Sequence, residues 1–126
     1  MTIAHMSYNI KDMKVEKAWF EKALAPLGYT VGQDYGSAVG FFDGHDTDFW
    51  LSSDGNGEGG HIAFAAKSQE EVQGFYEAAL AAGGKDNGKP GYRSYWEGYY
   101  AAFVYDPEGN NVEAVFYDYD YNAAHS

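Results

Sequence analysis

Hydrophobic and polar positions follow the same order twice along the 126-residue chain. In each half, a short apolar segment leads into a polar turn. A stretch whose apolar residues recur every three or four positions follows, which is the spacing of an amphipathic helix. Further short apolar segments, separated by turn residues, complete each half. The pattern predicts a βαβββ module that occurs twice, and therefore an α+β fold.

Turn residues set the predicted bounds of the strands. The first module is predicted to have strands over 3–10 and near 30–33, 41–42 and 49–51. The second module is predicted to have strands over 62–66, around 99–103 or just before it, and over 103–105 and 111–116. The Asp-Pro-x-Gly sequence that begins at Asp106 is a turn signal, because proline fixes φ and glycine tolerates a positive φ.

Each helix has predicted caps and a predicted apolar face. Asp12 and Ser68 are good N-cap residues, and Ser68 forms a capping box with Glu71 three positions later. Gly28 and Gly84 are predicted to end the helices as C-cap residues. The predicted apolar faces contain Val15, Ala18, Trp19 and Lys22–Ala23 in the first helix, and Val72, Phe75, Tyr76 and Ala79 in the second.

The two modules also align residue by residue. The aligned segments are 5–28 with 61–84, and 41–51 with 104–114. The first pair places His5 over His61, and the second pair places Trp50 over Glu113. Two histidines therefore occupy the same place on the first strand of each module.

We expect a single domain, because neither small sheet can bury a face alone. The predicted divisions are module one at about 1–52, a Gly-rich connector at 53–60, module two at about 61–118 and a tail at 119–126. The connector is too short to separate independent domains, so the modules are predicted to pack around a shared cleft.

Composition narrows the class of protein. The chain has no cysteine, which excludes disulfides, thiolate metal sites and a cysteine nucleophile. Its formal net charge of -11 disfavours nucleic acid and anionic membranes as partners. No signal peptide and no apolar run of about 20 residues is visible. We therefore expect a soluble cytoplasmic protein with a small-molecule partner.

Three residues form a candidate metal site. His5 and His61 occupy equivalent inward positions, and Glu113 stands between Val112 and Ala114 on an apolar strand. A carboxylate in such a place is costly to bury unless it is paired or binds a metal. Two histidines and one carboxylate match a ligand set used by ferrous iron and related divalent metals.

The segment 88–103 is the candidate substrate wall. Arg93 is suited to bind a carboxylate through two hydrogen bonds, and the aromatic residues around it suit a partly apolar pocket. The predicted pocket residues are Trp50, Arg93, Tyr95, Trp96, Tyr99, Tyr100 and Phe103. The alternative is a surface loop whose aromatic residues pack on the sheet.

These features resemble the glyoxalase / bleomycin-resistance / extradiol-dioxygenase superfamily, also called vicinal oxygen chelate. The resemblance is carried by "IAHMSYNIKD", "GGHIAFAA" and "DPEGNNVEAVF", and is closest to the small single-domain glyoxalase-like proteins. It implies a cup-shaped open sheet from each module and a divalent metal such as Zn, Ni, Mn or Fe. It also implies a homodimer, and it carries the ligand role onto His5, His61 and Glu113. Lactoylglutathione lyases place a fourth ligand, a glutamate, where this chain has Trp50.

The resemblance leaves several functions open. The first is a metal-dependent enzyme of isomerase, lyase or dioxygenase type, acting on a substrate with two adjacent oxygens. The second is a bleomycin-resistance-like protein that binds a planar cation without catalysis, which the acidic and aromatic-rich composition favours. The third is a dimerising subunit that has lost its chemistry.

Overall fold

The computed structural model describes residues 4–53, 60–95 and 97–120. The elements of the first module are β1 (Met6–Asn9), α1 (Met13–Leu24), a 3-10 helix (Ala25–Leu27), β2 (Thr30–Asp34), β3 (Ala38–Phe42) and β4 (Thr47–Ser52). Those of the second are β5 (His61–Ala65), α2 (Gln69–Ala81), β6 (Lys85–Tyr92), β7 (Tyr99–Tyr105) and β8 (Asn111–Tyr117). Residues 54–59 of the predicted connector and 121–126 of the predicted tail lie outside the described residues.

Each module forms its own open four-stranded sheet. The strand order is β1-β4-β3-β2 in sheet A and β5-β8-β7-β6 in sheet B. In both sheets the first strand of the module pairs in parallel with the last, and the other neighbouring strands are antiparallel. The α+β class and the tandem βαβββ order predicted from the sequence are confirmed.

The predicted N-caps are present, but the C-caps differ from the predicted ones: the C-cap of α1 is Ala25, with Gly28 ending the 3-10 helix that follows, and the C-cap of α2 is Ala82. Asp12 accepts a hydrogen bond from the backbone N–H of Val15, and Ser68 accepts one from that of Glu71. Gly28 adopts a left-handed conformation with φ of 90°. In the second module it is Gly83, not Gly84, that has the positive φ, of 111°.

The buried face of α1 is rotated from the predicted one. Val15 is 45% exposed, whereas Glu16, which the pattern gives no reason to bury, has no exposed surface. The buried residues of α1 are Glu16, Trp19, Phe20, Ala23 and Leu24. This face is set by packing against α2 and sheet A, and the apolar spacing of one helix carries no information on that packing.

Most of the predicted substrate loop over 88–103 is strand. β6 occupies Lys85–Tyr92 and β7 begins at Tyr99, so the loop between them covers only 93–98. The sequence pattern missed β6 because its glycines and proline are poor strand formers. They are tolerated here because β6 is an edge strand, whose register with β7 shifts on either side of Gly88.

The helix-covered faces of both sheets share one hydrophobic core. Phe49 of sheet A meets Phe64 of sheet B edge to face, with ring centroids 4.9 Å apart. The indole N–H of Trp19 in α1 donates to the backbone carbonyl of Ala79 in α2 at 3.0 Å. The two modules therefore form one packed body, and the opposite, open face of each sheet turns away from this core.

The β7–β8 turn of the second module is hydrogen-bonded to the start of α1 in the first module. The Glu108 carboxylate accepts the backbone N–H groups of Lys11, at 2.9 Å, and Asp12, at 2.7 Å. These groups lie at the start of α1, where backbone N–H groups lack helical partners and negative charge is favoured. The acidic turn of one module thus caps the helix of the other.

A buried carboxyl group lies under this turn. Glu16 is fully buried, and neither of its carboxyl oxygens makes a hydrogen bond with the described groups. Burial and, after it, the nearby carboxylates of Asp106 and Glu108 together raise the pKa of Glu16 to about 10. Glu16 is therefore protonated at neutral pH, while Asp106 accepts hydrogen bonds from within the turn.

Candidate functional site

Equivalent positions of the two sheets carry different side chains. Ser7 pairs with Trp50 in sheet A, and Ala63 pairs with Glu113 in sheet B. Since Ser7 and Ala63 are equivalent in the repeat, the strand registers confirm the alignment of Trp50 with Glu113. The carboxylate therefore belongs to the second module alone.

His61 and Glu113 meet on the open face of sheet B. The Nε2 atom of His61 lies 2.9 Å from Oε1 of Glu113. The imidazole is 47% exposed, whereas the carboxylate side chain is 3% exposed. The pair therefore presents a histidine to solvent and keeps its carboxylate below the surface.

Tyr99 is the second partner of this carboxylate. Its phenol donates a short hydrogen bond to Oε2 of Glu113. Burial raises the pKa of the Tyr99 phenol, and the bond to Glu113 raises it further, so the phenol stays protonated. The sequence marked Tyr99 only as a lining residue. The sequence could have indicated its position, because alternate residues of a strand face the same side. Tyr99 therefore lies on the same face of β7 as Phe103, with the small Ala101 between them.

The donor set fits a divalent metal in part. The 2.9 Å separation of His61 Nε2 from Glu113 Oε1 is a hydrogen-bond distance, and it places two groups of metal-ligand chemistry side by side. Imidazole nitrogen and carboxylate oxygen are ligands that Zn, Ni, Mn and Fe accept. A metal held here needs a third protein ligand from elsewhere.

His5 lies on the other sheet. It lines a cavity of about 410 Å³ on the open face of sheet A, together with Ser7, Ala38, Thr47, Trp50 and Ser52. Among the described residues, no three histidine, aspartate or glutamate side chains come together to hold a metal ion. One chain thus brings His61 and Glu113 together and leaves His5 apart from them.

Trp50 forms the floor of the sheet A cavity. A side chain at Gly40 would lie 2.8 Å from the indole, so the glycine makes room for Trp50 to lie across β3. Tyr35 stacks parallel to Trp50, with ring centroids 6.1 Å apart and an interplanar angle of 3°. This face offers a flat aromatic surface in place of the carboxylate.

A second cavity adjoins the His61–Glu113 pair on sheet B. It has a volume of about 290 Å³ and is lined by Asn87, Gly88, Arg93, Tyr95, Phe103 and Asn111. The ring of Phe103 stacks on the His61 imidazole, with centroids 6.2 Å apart. Three of the predicted pocket residues, Arg93, Tyr95 and Phe103, therefore lie together beside the pair.

Two other predicted pocket residues, Tyr100 and Trp50, are placed differently. Tyr100 is a correction: it faces the core, and its hydroxyl accepts a hydrogen bond from Gln73 of α2 at 2.9 Å. It alternates with Tyr99 along β7, so only one of the two can face the open side. Trp50 lines the cavity of sheet A, away from Arg93, and Trp96 lies outside the described residues.

The family is established by sequence. The model of the Glyoxalase/Bleomycin resistance protein/Dioxygenase superfamily matches residues 2–114. The chain therefore belongs to this superfamily, as its repeat and its open sheets indicate. No curated protein matches the chain.

Solved structures share the fold. A glyoxalase/bleomycin resistance protein from Albidiferax ferrireducens T118 is 26% identical, with a TM-score of 0.78 over 92% of this chain and 98% of that one. A glyoxalase/bleomycin resistance protein/dioxygenase family enzyme from Burkholderia phytofirmans PsJN is 17% identical, with a TM-score of 0.70 over 93% and 99%. A lactoylglutathione lyase from Agrobacterium tumefaciens is 21% identical, with a TM-score of 0.64 over 91% and 92%.

A helix that spans a bilayer needs about 20 predominantly apolar residues. Within the described residues, neither α1 nor α2 is long and apolar enough to span a membrane.

Proposed function

We propose that the protein is a glyoxalase-like, metal-dependent enzyme whose small substrate chelates a divalent ion through two adjacent oxygens. The observation that carries this proposal is the 2.9 Å contact between His61 and Glu113 on an open sheet face. Membership of the superfamily supports it. The reaction is of isomerase, lyase or extradiol-dioxygenase type, and the protein acts in the cytoplasm.

The third ligand in this proposal is the His5 of a second copy of the chain. His5 and the His61–Glu113 pair lie on open faces that both turn away from the shared core. A homodimer that sets sheet A of one copy against sheet B of the other completes two equal sites. The bound ion would be Zn, Ni, Mn or Fe.

The bound metal would supply Lewis acidity, which stabilises negative charge on a substrate oxygen. The chain's own residues prepare the place for it. The Tyr99 hydrogen bond fixes the rotamer of Glu113, and the burial of the carboxylate keeps water from competing for it. His61 stays half exposed, so the substrate reaches the site from the open face.

Metal content tests the proposal directly. Wild-type protein and the variants His61→Ala, Glu113→Gln and His45→Ala are purified alike and analysed by elemental analysis. His45 is the matched control, because it is an exposed histidine in the β3–β4 turn. We expect stoichiometric metal in the wild type and in His45→Ala, and its loss in the other two. Equal metal content in all four proteins, or none in the wild type after metal addition, contradicts the proposal.

A binding protein without catalysis is the second candidate, and one observation favours it. Trp50 and Tyr35 form a parallel aromatic pair on sheet A, in a chain with a net charge of -11. Such a surface suits a planar cation, since aromatic faces attract positive charge. Under this function a planar aromatic cation such as ethidium quenches the protein's fluorescence saturably, without metal. Binding that is unchanged in Trp50→Leu removes this candidate.

A further inference from the structure

Two residues that line the sheet B cavity, Gly88 and Phe103, belong to a row of paired residues that crosses three strands and ends at Glu113. Gly88 pairs with Phe103, and Phe103 pairs with Glu113. Neighbouring strands are about 4.8 Å apart. The β6 end of the row therefore lies about 10 Å from the Glu113 end, with the ring of Phe103 between them.

Arg93 occupies the β6 end of this row. A side chain at Gly88 would come within 3.0 Å of the guanidinium and 3.1 Å of the Phe103 ring. The guanidinium thus lies in the space that this glycine leaves open. Its central carbon is 5.3 Å from the centroid of Phe103, a cation–π distance.

The guanidinium is held in place and keeps donors for a ligand. Its two terminal nitrogens donate to the backbone carbonyls of Gly91, at 2.9 Å, and Lys89, at 2.7 Å. A guanidinium has five N–H donors, so others remain. Within residues 4–53, 60–95 and 97–120, Arg93 pairs with no acidic side chain. In a chain with 19 acidic residues, a fixed cation in a cavity without an acidic partner suits an anionic ligand.

The neighbours of Arg93 suit a carboxylate. Asn87 donates to Asn111 at 3.0 Å, and both line the cavity. The two amides are neutral, so the positive charge of the cavity lining is the single charge of Arg93. That matches one carboxylate, which accepts two hydrogen bonds from one guanidinium. A phosphate dianion carries more charge than one arginine balances.

We propose that this cavity binds a carboxylate, so that the substrate is an elongated molecule with an anionic end on Arg93. An apolar or aromatic middle lies over Phe103, and the end that carries the two oxygens reaches His61 and Glu113. The position of that reacting end rests on the proposed function. The carboxylate site itself does not, because it requires no metal.

The test uses chelator-treated protein and two probes of equal shape, 4-methylbenzoate and 4-methylbenzamide. Their affinities are measured by titration in nuclear magnetic resonance spectra. We expect the wild type to bind the benzoate at least about 10-fold more tightly than the amide, as a charged hydrogen bond gives. In Arg93→Gln the ratio falls close to one. The control Lys89→Gln removes a neighbouring exposed cation and keeps the wild-type ratio.

Three results overturn the proposal. They are a benzoate preference that persists in Arg93→Gln, equal affinities of both probes in the wild type, and no binding of either probe below about 10 mM. If Arg93→Gln does not fold, the wild-type spectra decide. The benzoate must then shift the amide signals of Asn87, Arg93 and Asn111, and shifts confined to other residues count against it. Failure of the metal analysis leaves this test unaffected, so the two proposals fail separately.

Discussion

The imidazole of His61 and the carboxylate of Glu113 meet at 2.9 Å across two parallel neighbouring strands, β5 and β8. The contact does not follow from direct pairing, because His61 is in register with Asn111 and Glu113 with Ala63. It forms because both side chains lean along the open face of sheet B. The pair is therefore positioned by the pairing of β5 with β8.

The Tyr99 hydroxyl is expected to matter for metal affinity. Tyr99→Phe leaves Oε2 of Glu113 buried without its donor, which loosens the orientation of the carboxylate. We expect the affinity for the bound metal to fall by about 10- to 100-fold, as for other partners of metal ligands. Calorimetric titration of the metal-free protein measures this. Tyr95→Phe is the control, since Tyr95 packs edge-on against Tyr99 at 5.0 Å and is exposed. Equal affinities in both variants and the wild type refute the prediction.

Mixing two variants that each lack one proposed ligand tests whether two copies of the chain share the metal site. His5→Ala and His61→Ala each lack one ligand in every proposed site. A mixed dimer has one site that lacks both ligands and one that lacks neither. After the two are refolded together, we expect metal content to return to about one site per mixed dimer. If each chain binds its metal alone, the mixture holds no more metal than its components.

Glu16 is expected to make stability depend on pH. Glu16 keeps its proton up to a pH of about 10 in the folded state, whereas its ordinary pKa is 4.5. Between these values the folded chain binds more protons than the unfolded one, so the free energy of unfolding falls as pH rises. Burial is the largest cause of this raised pKa, followed by the neighbouring Asp106 and Glu108.

Glu16→Gln mimics the protonated side chain and removes this dependence. We expect the variant to be more stable than the wild type by at least about 1 kcal/mol at pH 8. The difference shrinks as the pH approaches 4.5. Urea unfolding at several pH values measures it. Parallel pH profiles for the two proteins would show that Glu16 does not carry the proton.

The Glu108 cap is expected to stabilise the joined modules. Glu108→Ala removes the acceptor for the backbone N–H groups of Lys11 and Asp12 and a negative charge at the start of α1. We expect a loss of about 1–2 kcal/mol in unfolding free energy. Glu97→Ala, at an exposed acid of the β6–β7 loop, should change it by less than about 0.5 kcal/mol. A similar loss in both variants assigns the effect to net charge instead.

The sequence predicted features that depend on near neighbours in the chain. Asp12 and Ser68 cap their helices because the capping groups lie within three residues. The equivalence of Trp50 and Glu113 was also predictable, because a duplicated module keeps its register. The alternation of side chains between the two faces of β7 could also have been predicted from the sequence. It separates Tyr99 on the open face from Tyr100 in the core, although both were assigned to the pocket.

Features that depend on distant contacts could not be predicted in this way. The burial of Glu16 results from packing under the turn of the other module, which the spacing of α1 does not contain. β6 was missed because its strand conformation is imposed by pairing with β7. The separation of His5 from His61 depends on how the modules pack, and an alignment of two repeats gives no information on that.

The outward orientation of both open faces has a consequence for how such a chain can diversify. Residues on one face can change without disturbing the interior that holds the halves together. Equivalent positions of the two modules carry an indole, Trp50, on the open face of sheet A and an acid, Glu113, on that of sheet B. A repeated module of this kind therefore offers two open faces of different chemistry on one interior.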